Sequence, residues 1–401
     1  MTKERRTNLL VLLATVVATL FGLEFALRAL APQPVYSALK SAVPDFFTAS
    51  TFNTFTVRPN YVGTERSQEF PDKSVTVTTN SLGYRSPEIS PVQKEKKRIL
   101  ILGDSYTFGV YVENNETYSA VLQKLLAEHG YDYEVINAGY ADGFEADEQY
   151  CWLINEGLSL QPDVVIYGMF LGNDIMGIDK SSWVAVDQFE LPIRIKSEKL
   201  YVDAEGIIRN KEADYKTVAS DLIYRVPIAR ESHSLVLFGR VATKITSMVA
   251  SGTFSGYRFD DYPHIINVKG GANQPRRADF EQKQLQLIKI VQGMQARAVA
   301  SNAKFLTLML PFNFMVEPDV FVPKLFGVAT DQVEFNDYYG KLAAQLNAMK
   351  INNLNIFSEM KLNSQSKYFP RNGEVHFNPR GHTFTAAKLY EFLTSRDLVQ
   401  R

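Results

Sequence analysis

The chain has 401 residues, of which 45% are hydrophobic and 22% are charged, a composition that excludes a disordered or collagen-like protein and allows a sizeable buried core. The 43 lysines and arginines are balanced by 44 aspartates and glutamates, so no global basic field exists to hold nucleic acid, and we expect no nucleic-acid partner. Cys151 is the only cysteine, which excludes an intramolecular disulfide and a thiolate metal cage.

The amino-terminal segment has the pattern of a membrane-spanning signal-anchor helix. Residues 1–6 are basic, and the only charges in the apolar run 7–30 are Glu24 and Arg28. A span needs about 20 mostly apolar residues, which this run supplies if its two charges lie at the outer interface, one turn apart. The positive-inside rule keeps residues 1–6 in the cytoplasm, so we expect the rest of the chain to be extracytoplasmic, on the periplasmic or cell-surface side.

A cleaved signal peptide is the alternative interpretation of this segment. Its apolar core can be this short, and the run ends in a small residue at Ala31. Arg28 beside the candidate cleavage site and Pro32 directly after it favour an anchor that is not cleaved.

Residues 31–96 are predicted to form a linker and a small leading β element. A strand is expected at 75–79, and Asn80, Gly83 and Pro87 indicate a turn after it.

Residues 97–398 alternate short apolar runs with helical patterns. The predicted strands and helices are, in chain order, strand 99–102, helix 118–126, strand 133–137, helix 146–156, strand 164–169, helix 287–298, strand 305–310, strand 354–357 and a final helix. Strands that alternate with helices form a parallel sheet covered on both faces. Ligands of such sheets lie at the carboxyl ends of the strands, where we expect the functional residues.

The alternating pattern is lost between residues 177 and 277. A structureless loop of that length is uncommon in a compact domain, so we predict an insertion with structure of its own, such as a cap. It contains several aromatic residues, including Trp183, Tyr257 and Tyr262.

Residues 103–109, after the first predicted strand, read Gly-Asp-Ser-Tyr-Thr-Phe-Gly. They place Ser105 on the turn at the carboxyl edge of the sheet, where a serine can act as a nucleophile if backbone N–H groups nearby hold an oxyanion. A serine that only caps a helix is the alternative.

The second and third strands end in candidate oxyanion donors. Residues 137–143 contain Gly139 and Gly143, whose N–H groups can point into the same cleft, although ordinary turn glycines explain them equally. Asn173 follows the third strand, and its side-chain amide can donate a hydrogen bond to a developing negative charge or form an Asx turn.

Two of the five histidines, His376 and His382, lie near the carboxyl end. Asn378 and Pro379 have the pattern of an N-cap and a first helical residue, so His376 is expected on the loop before the last helix, at the same sheet edge. Six residues across a helix start is not a metal-ligand spacing, and the sequence implies no metal or other cofactor.

These blocks, in this order, resemble the SGNH (GDSL-type) hydrolase family, whose name lists its serine, glycine, asparagine and histidine. The stretch 80–85, Asn-Ser-Leu-Gly-Tyr-Arg, together with 103–109 and 116–118, is also similar to membrane-anchored bacterial members with envelope-polysaccharide functions. The resemblance spans about 80–177 and 278–395.

The resemblance implies a three-layer α/β/α sandwich with a central parallel sheet in flavodoxin-like order. It makes Ser105 the nucleophile and His376 its general base. The N–H groups of Ser105 and a glycine and the side chain of Asn173 would then hold the oxyanion, and we prefer Gly143 over Gly139 for the glycine.

The sequence departs from the family pattern at the acid of the triad. The family usually has an aspartate two or three residues before the histidine, where Gly373 and Glu374 stand here. Glu374 can supply a carboxylate to the imidazole Nδ1, and without it a Ser-His dyad remains. Asp104 is expected to be structural.

The implied function is a membrane-anchored serine esterase or O-acyltransferase that acts on ester-linked groups, acetyl above all, of an envelope or exported glycan. The implied partners are an acylated carbohydrate and the membrane. Two alternatives use the same cleft: a catalytically silent glycan-binding or assembly protein, with Trp183, Tyr257 and Tyr262 as sugar-stacking surfaces, and a lipase-like esterase.

Overall fold

The computed structural model describes residues 3–33, 46–53, 55–66, 74–90, 94–140, 144–196, 200–202, 208–210, 226–239, 241–242, 262, 264–269, 280–371 and 375–401. The chain divides into two compact units. We call residues 1–44 with 210–256 the amino-terminal unit and residues 45–209 with 257–401 the sheet unit.

The strands are β1 (Phe47–Ala49), β2 (Phe55–Val57), β3 (Val62–Arg66), β4 (Ser74–Thr78), β5 (Lys97–Gly103), β6 (Tyr133–Gly139), β7 (Val164–Phe170), β8 (Trp183–Val186), β9 (Pro192–Ile195), β10 (Leu200–Val202), β11 (Ile208–Asn210), β12 (Ile266–Val268), β13 (Lys304–Leu310), β14 (Val333–Phe335) and β15 (Asn352–Asn355). The α-helices are α1 (Lys3–Leu30), α2 (Ser105–Phe108), α3 (Tyr118–Glu128), α4 (Ala146–Asn155), α5 (Pro227–Arg230), α6 (Phe280–Ala300), α7 (Asn313–Val316), α8 (Pro318–Phe326), α9 (Tyr338–Ala348), α10 (Phe357–Leu362) and α11 (Pro379–Ser395).

A five-stranded parallel sheet in the order β15-β13-β7-β5-β6 forms the centre of the sheet unit. The strands are apolar because both faces are covered, and every residue of β7 is buried. The predicted α/β fold with flavodoxin-like order is confirmed. One predicted boundary differs, since the last strand ends at Asn355 and Phe357 already begins α10.

Helices cover the sheet in two pairs. Helix α3 packs on α11 and β6, whereas α4 packs on α6 and β5. Because right-handed crossovers that run in opposite directions across a sheet place their helices on opposite faces, these pairs form the two outer layers. The strand order reverses between β5 and β7, and this is the point at which sheets of this kind bind their ligands.

Four antiparallel strand pairs surround the central sheet: β1 with β2, β3 with β4, β8 with β9, and β12 with β14. The first two belong to the leading β element, where the predicted strand at 75–79 is observed as β4. Gly83 has a φ of +88° in the turn that follows, a conformation that glycine adopts without strain.

The amino-terminal unit contains α1, which is long and apolar enough to cross a membrane, with a mean hydropathy of 2.3 in its most apolar window. A signal sequence has the same properties. The hydroxyls of Thr15 and Thr19 donate to carbonyls four residues earlier in the helix, at 2.9 and 2.8 Å. These polar groups are therefore satisfied within the helix, as an apolar environment requires.

Candidate active site

The turn after β5 presents Ser105 as the first residue of a one-turn helix. Asp104 is the N-cap of α2, and its Oδ1 accepts a hydrogen bond from the Tyr106 amide at 2.9 Å. Gly109, with a φ of +83°, ends the helix and donates its N–H to the Ser105 carbonyl at 2.9 Å. Ser105 lies in the first turn, where N–H groups have no partner within the helix, so its amide can serve an oxyanion.

Three glycines at the carboxyl ends of neighbouring strands let α2 lie directly on the sheet. Gly103 of β5 is in register with Gly139 of β6 and with Gly168 of β7. A Cβ atom at Gly139 would lie 2.3 Å from the Phe108 amide nitrogen, and one at Gly168 would lie 2.5 Å from Thr107 Oγ1. We call Gly103, Gly139 and Gly168 the glycine floor, because side chains there would displace the helix that carries Ser105.

Arg85 holds the other end of the nucleophile helix. Its buried guanidinium donates to the carbonyl of Phe108 at 3.1 Å and also to the carbonyls of Gly109 and Val112. Burial lowers the pKa of Arg85 to about 10, and the charge of Glu65 opposes that shift, so the side chain remains cationic at neutral pH. A cation at the carboxyl end of a helix is favourable because the last carbonyls carry partial negative charge.

Asn137, near the end of β6, fixes α2 from the side. Its Nδ2 donates to the Thr107 carbonyl at 2.9 Å, and its Oδ1 accepts from the Gly139 amide at 3.0 Å. The Gly139 N–H is therefore already bound within the strand end. Gly143, our preferred glycine donor, lies outside the described residues.

His376 lies beside Ser105, as the sequence predicts. Its Nε2 is 2.8 Å from the Ser105 Oγ, and both side chains are half-buried. The Tyr106 hydroxyl donates to the carbonyl of Val375 and so fixes the backbone directly before the histidine. Asn378 is the N-cap of α11 and Pro379 its first residue, as predicted, which places His376 on the loop before that helix.

The predicted acid of the triad, Glu374, lies outside the described residues together with Gly373. Its role as the partner of the imidazole stays a prediction.

Asn173 and Asp104 interact beneath the site. Burial raises the pKa of the Asp104 carboxyl above its usual range, while the hydrogen bond from the Tyr106 amide, the charge of His376 and the Asn173 side chain lower it. Asp104 thus caps α2 and orients Asn173, in keeping with the structural role expected for it. Asn173 itself is half-buried at the end of β7, on the same edge as Ser105.

His382 serves the packing of α3 and α11. Its Nδ1 accepts a hydrogen bond from the Tyr118 amide at 3.2 Å, and the residue is buried. Burial lowers the pKa of His382 to about 3, and the charge of Arg85 lowers it further. The imidazole is therefore neutral at physiological pH and is committed to a backbone contact.

Sequence reasoning missed Tyr111, which has a φ of +64° and whose ring lies 6.0 Å from that of His376. Its amide donates to Glu65 at 3.1 Å. A bulky side chain in this backbone region is unusual, and such strain is concentrated at functional sites. No local sequence signal marks Tyr111, whereas Arg85 and Asn137 belong to stretches that the motif analysis singled out without assigning them a task.

The aromatic residues proposed as sugar-stacking surfaces make intramolecular contacts. The Trp183 indole donates to the Asp147 carboxylate at 2.6 Å, and the Tyr262 ring packs against Phe312 at 5.1 Å between ring centroids. Tyr257 lies outside the described residues.

The strand order and the placement of Ser105 and His376 define an α/β/α sandwich with a serine and a histidine paired at its topological switch point. No family model matches the chain, and no curated protein does. Solved structures similar to it include TesA (15% identity, 75% of this chain and 99% of that chain, TM-score 0.36), an acetyl xylan esterase, AlAXEase (14%, 73% and 98%, 0.36), and the lipase/acylhydrolase from Enterococcus faecalis (14%, 75% and 96%, 0.34). At these TM-scores, the strand order itself establishes the fold.

Proposed function

We propose that this protein is a membrane-anchored serine esterase or O-acyltransferase whose sheet unit acts on acetyl esters of an exported glycan outside the cytoplasm. The observation that carries the proposal is the distance of 2.8 Å between Ser105 Oγ and His376 Nε2 at the carboxyl edge of the sheet. A nucleophile and a base at hydrogen-bond distance, with the base held by its own loop, are the minimum for acyl transfer through a covalent intermediate.

The reaction begins when His376 takes the hydroxyl proton as Ser105 Oγ attacks the ester carbonyl. The carbonyl oxygen becomes an oxyanion, and the Ser105 amide, the Gly143 amide and the Asn173 side chain are the donors proposed for it. Collapse of this intermediate breaks the ester bond, and His376 returns its proton to the departing sugar hydroxyl. Water or the hydroxyl of another sugar then attacks the acyl-Ser105 ester, with His376 again acting as base.

Glu374 is proposed to hold the imidazole from its Nδ1 side and to stabilise the imidazolium that forms in each step. A glutamate is one methylene longer than the aspartate usual at this place, so its loop must accommodate the extra length. If Glu374 does not reach His376, the reaction proceeds through the Ser105-His376 dyad at a lower rate.

A glycan substrate is proposed on two grounds. The motif at 80–85 resembles membrane-anchored bacterial members with envelope-polysaccharide functions, and the half-buried ring of Tyr111 beside His376 offers an aromatic face to a sugar. The extracytoplasmic location follows from α1, whose basic end stays in the cytoplasm if the helix spans the membrane.

The decisive experiment measures acetate release from p-nitrophenyl acetate and from an acetylated polysaccharide by the full chain in detergent. Ser105→Ala and Glu374→Gln are compared with wild type, and Ser395→Ala, at the exposed end of α11, is the matched control. Loss in both variants but not in the control supports a triad that includes Glu374. Loss in Ser105→Ala alone supports a dyad.

Wild-type protein that releases no acetate is tested further with an added sugar acceptor and with a serine-directed phosphonate. Acetyl transfer to the acceptor assigns an acyltransferase, and a preference for long-chain synthetic esters would replace acetyl with a lipid substrate. Absence of both turnover and labelling would refute the enzyme proposal in favour of a glycan-binding protein. A reporter fused after Arg401 that is active only in the cytoplasm would refute the topology.

A further inference from the structure

A segment of the predicted insertion is bonded to the candidate membrane helix within the amino-terminal unit. The Glu24 carboxylate of α1 accepts hydrogen bonds from the amides of His233 at 3.0 Å and Ser234 at 2.9 Å. It also accepts one from the Ser232 hydroxyl at 2.9 Å and another from the Ser234 hydroxyl. A carboxylate with this many donors is well compensated when it is removed from water. We call residues 226–239 the docking segment.

The other charge of α1 is engaged in the same way. Arg28 pairs with Glu24, with 2.9 Å between Nε and Oε1, and its NH2 donates to the carbonyl of Glu231 at 3.0 Å. Just beyond the helix, the Gln33 amide donates to Nδ1 of His233 at 2.7 Å. The docking segment therefore follows the last two turns of α1.

The position of Glu24 along α1 places these contacts at membrane depth. A helix rises about 1.5 Å per residue, so Glu24 lies roughly 24 Å beyond Asn8, whereas the hydrocarbon core is about 30 Å thick. The full run from Asn8 to Leu30 is roughly 33 Å long and matches that thickness. With Glu24 and Arg28 satisfied by the docking segment, the whole run can be embedded.

The docking segment exposes apolar side chains that no water-facing segment requires. Ile228 is 86% exposed and Phe238 50% exposed. Phe25, on the neighbouring part of α1, is 76% exposed and has the same chemistry. The apolar surface of the candidate membrane helix therefore continues onto the docking segment.

We propose that the docking segment is a second membrane contact, which lies in the outer leaflet against the end of α1 with Ile228 and Phe238 among the lipid acyl chains. The inference rests on the anchoring part of the proposed function. Its chemistry is the burial of apolar surface in lipid, with the buried Glu24 charge compensated by donors from the same chain. It assigns part of the insertion to the membrane.

The test places a nitroxide at single introduced cysteines in the full chain, reconstituted in phosphatidylcholine-phosphatidylglycerol vesicles. Cys151 is buried, and the unmodified chain checks that it does not react. The test sites are Ile228→Cys and Phe238→Cys, with Phe25→Cys as the lipid reference and Leu362→Cys, 79% exposed in the sheet unit, as the apolar reference outside the amino-terminal unit. Collision with oxygen, which concentrates in lipid, is compared with collision with a water-soluble nickel chelate.

We expect the ratio of oxygen to nickel collisions at 228 and 238 to approach that at 25 and to exceed that at 362 several-fold. A lipid value at 25 with water values at 228 and 238 would overturn the inference while the anchor stands. A water value at 25 would refute the anchor and the inference together. Spin coupling between copies at 228 or 238 would assign the surface to self-association and overturn the lipid contact.

Glu24→Ala provides a second measurement, since it removes the acceptor that holds the docking segment. The label at 228 should then shift toward the water value while the label at 25 keeps its lipid value. An unchanged label at 228 would refute the role of Glu24 in holding the segment at the membrane.

Discussion

Ser105 and His376 are 271 positions apart in the chain, and their side chains meet at 2.8 Å. If they act as one unit, Ser105→Ala and His376→Ala should each lower kcat on p-nitrophenyl acetate by about three orders of magnitude or more. The double variant should be no slower than the slower single variant, because either change alone removes the same covalent route.

Steady-state kinetics of the four proteins provide the measurement, with thermal unfolding to show that each is folded. Rate losses that multiply in the double variant would mean that the two side chains act independently.

The strands and the two site residues could be predicted because their signals are local. A run such as 99–102 is apolar throughout since both faces of the sheet are covered, and Asn378 with Pro379 marks a helix start whatever surrounds it. The contacts of Arg85 with the Gly109 carbonyl, and of Glu24 with Ser234, could not be predicted. They join distant parts of the chain, and no pattern of neighbouring residues encodes them.

The glycine floor shows a second limit of sequence reasoning. Gly139 and Gly168 each end a strand, which local patterns explain as ordinary turns or breaks. Their common function depends on the register that aligns both with Gly103, and register is set by the whole sheet.

Gly139→Ala tests the glycine floor. The new methyl group would lie 2.3 Å from the Phe108 amide nitrogen, so α2 must move and carry Ser105 away from His376. We expect a loss of about 1–3 kcal/mol in the free energy of unfolding, as for overpacking in a core. We also expect a fall of about 100-fold or more in kcat, because misplacement by about 1 Å is that costly.

Gly130→Ala is the matched control, since Gly130 has a φ of +80° and open space around its Cβ position. It should lose about 1–2 kcal/mol from backbone strain and keep its activity. Equal activity in the two variants would show that the floor does not position Ser105.

Arg85→Lys tests the support at the carboxyl end of α2. A lysine keeps the charge but lacks the planar fork that reaches the carbonyls of Phe108, Gly109 and Val112 together. At least one buried carbonyl then loses its donor, at a cost of about 1–3 kcal/mol in the free energy of unfolding. We expect kcat to fall with little change in KM, because α2 is displaced while the substrate surface is retained.

Urea unfolding and kinetics of Arg85→Lys check this expectation, with Arg396→Lys at the end of α11 as the control. An Arg85→Lys protein that loses stability but keeps wild-type kcat would restrict Arg85 to folding.

His382 predicts how stability depends on pH. Burial lowers the pKa of this imidazole to about 3 in the folded protein, whereas an unfolded histidine titrates near 6.5. Between these values the unfolded chain binds one proton more than the folded chain. The free energy of unfolding should therefore fall as the pH drops below 6.5, by up to about 1.4 kcal/mol per pH unit from this group.

His382→Asn isolates that contribution, because Oδ1 of asparagine can still accept the Tyr118 amide while the titrating ring is gone. The variant should be less stable than wild type at pH 7, since it leaves a cavity beside Tyr118, and the difference should narrow steadily toward pH 4. Urea unfolding at each pH measures both curves, and the subtraction cancels the buried carboxyl groups common to the two proteins. Parallel curves would mean that His382 takes up its proton in the folded state as readily as in the unfolded one, and the packing of α3 against α11 would then have to admit a charge.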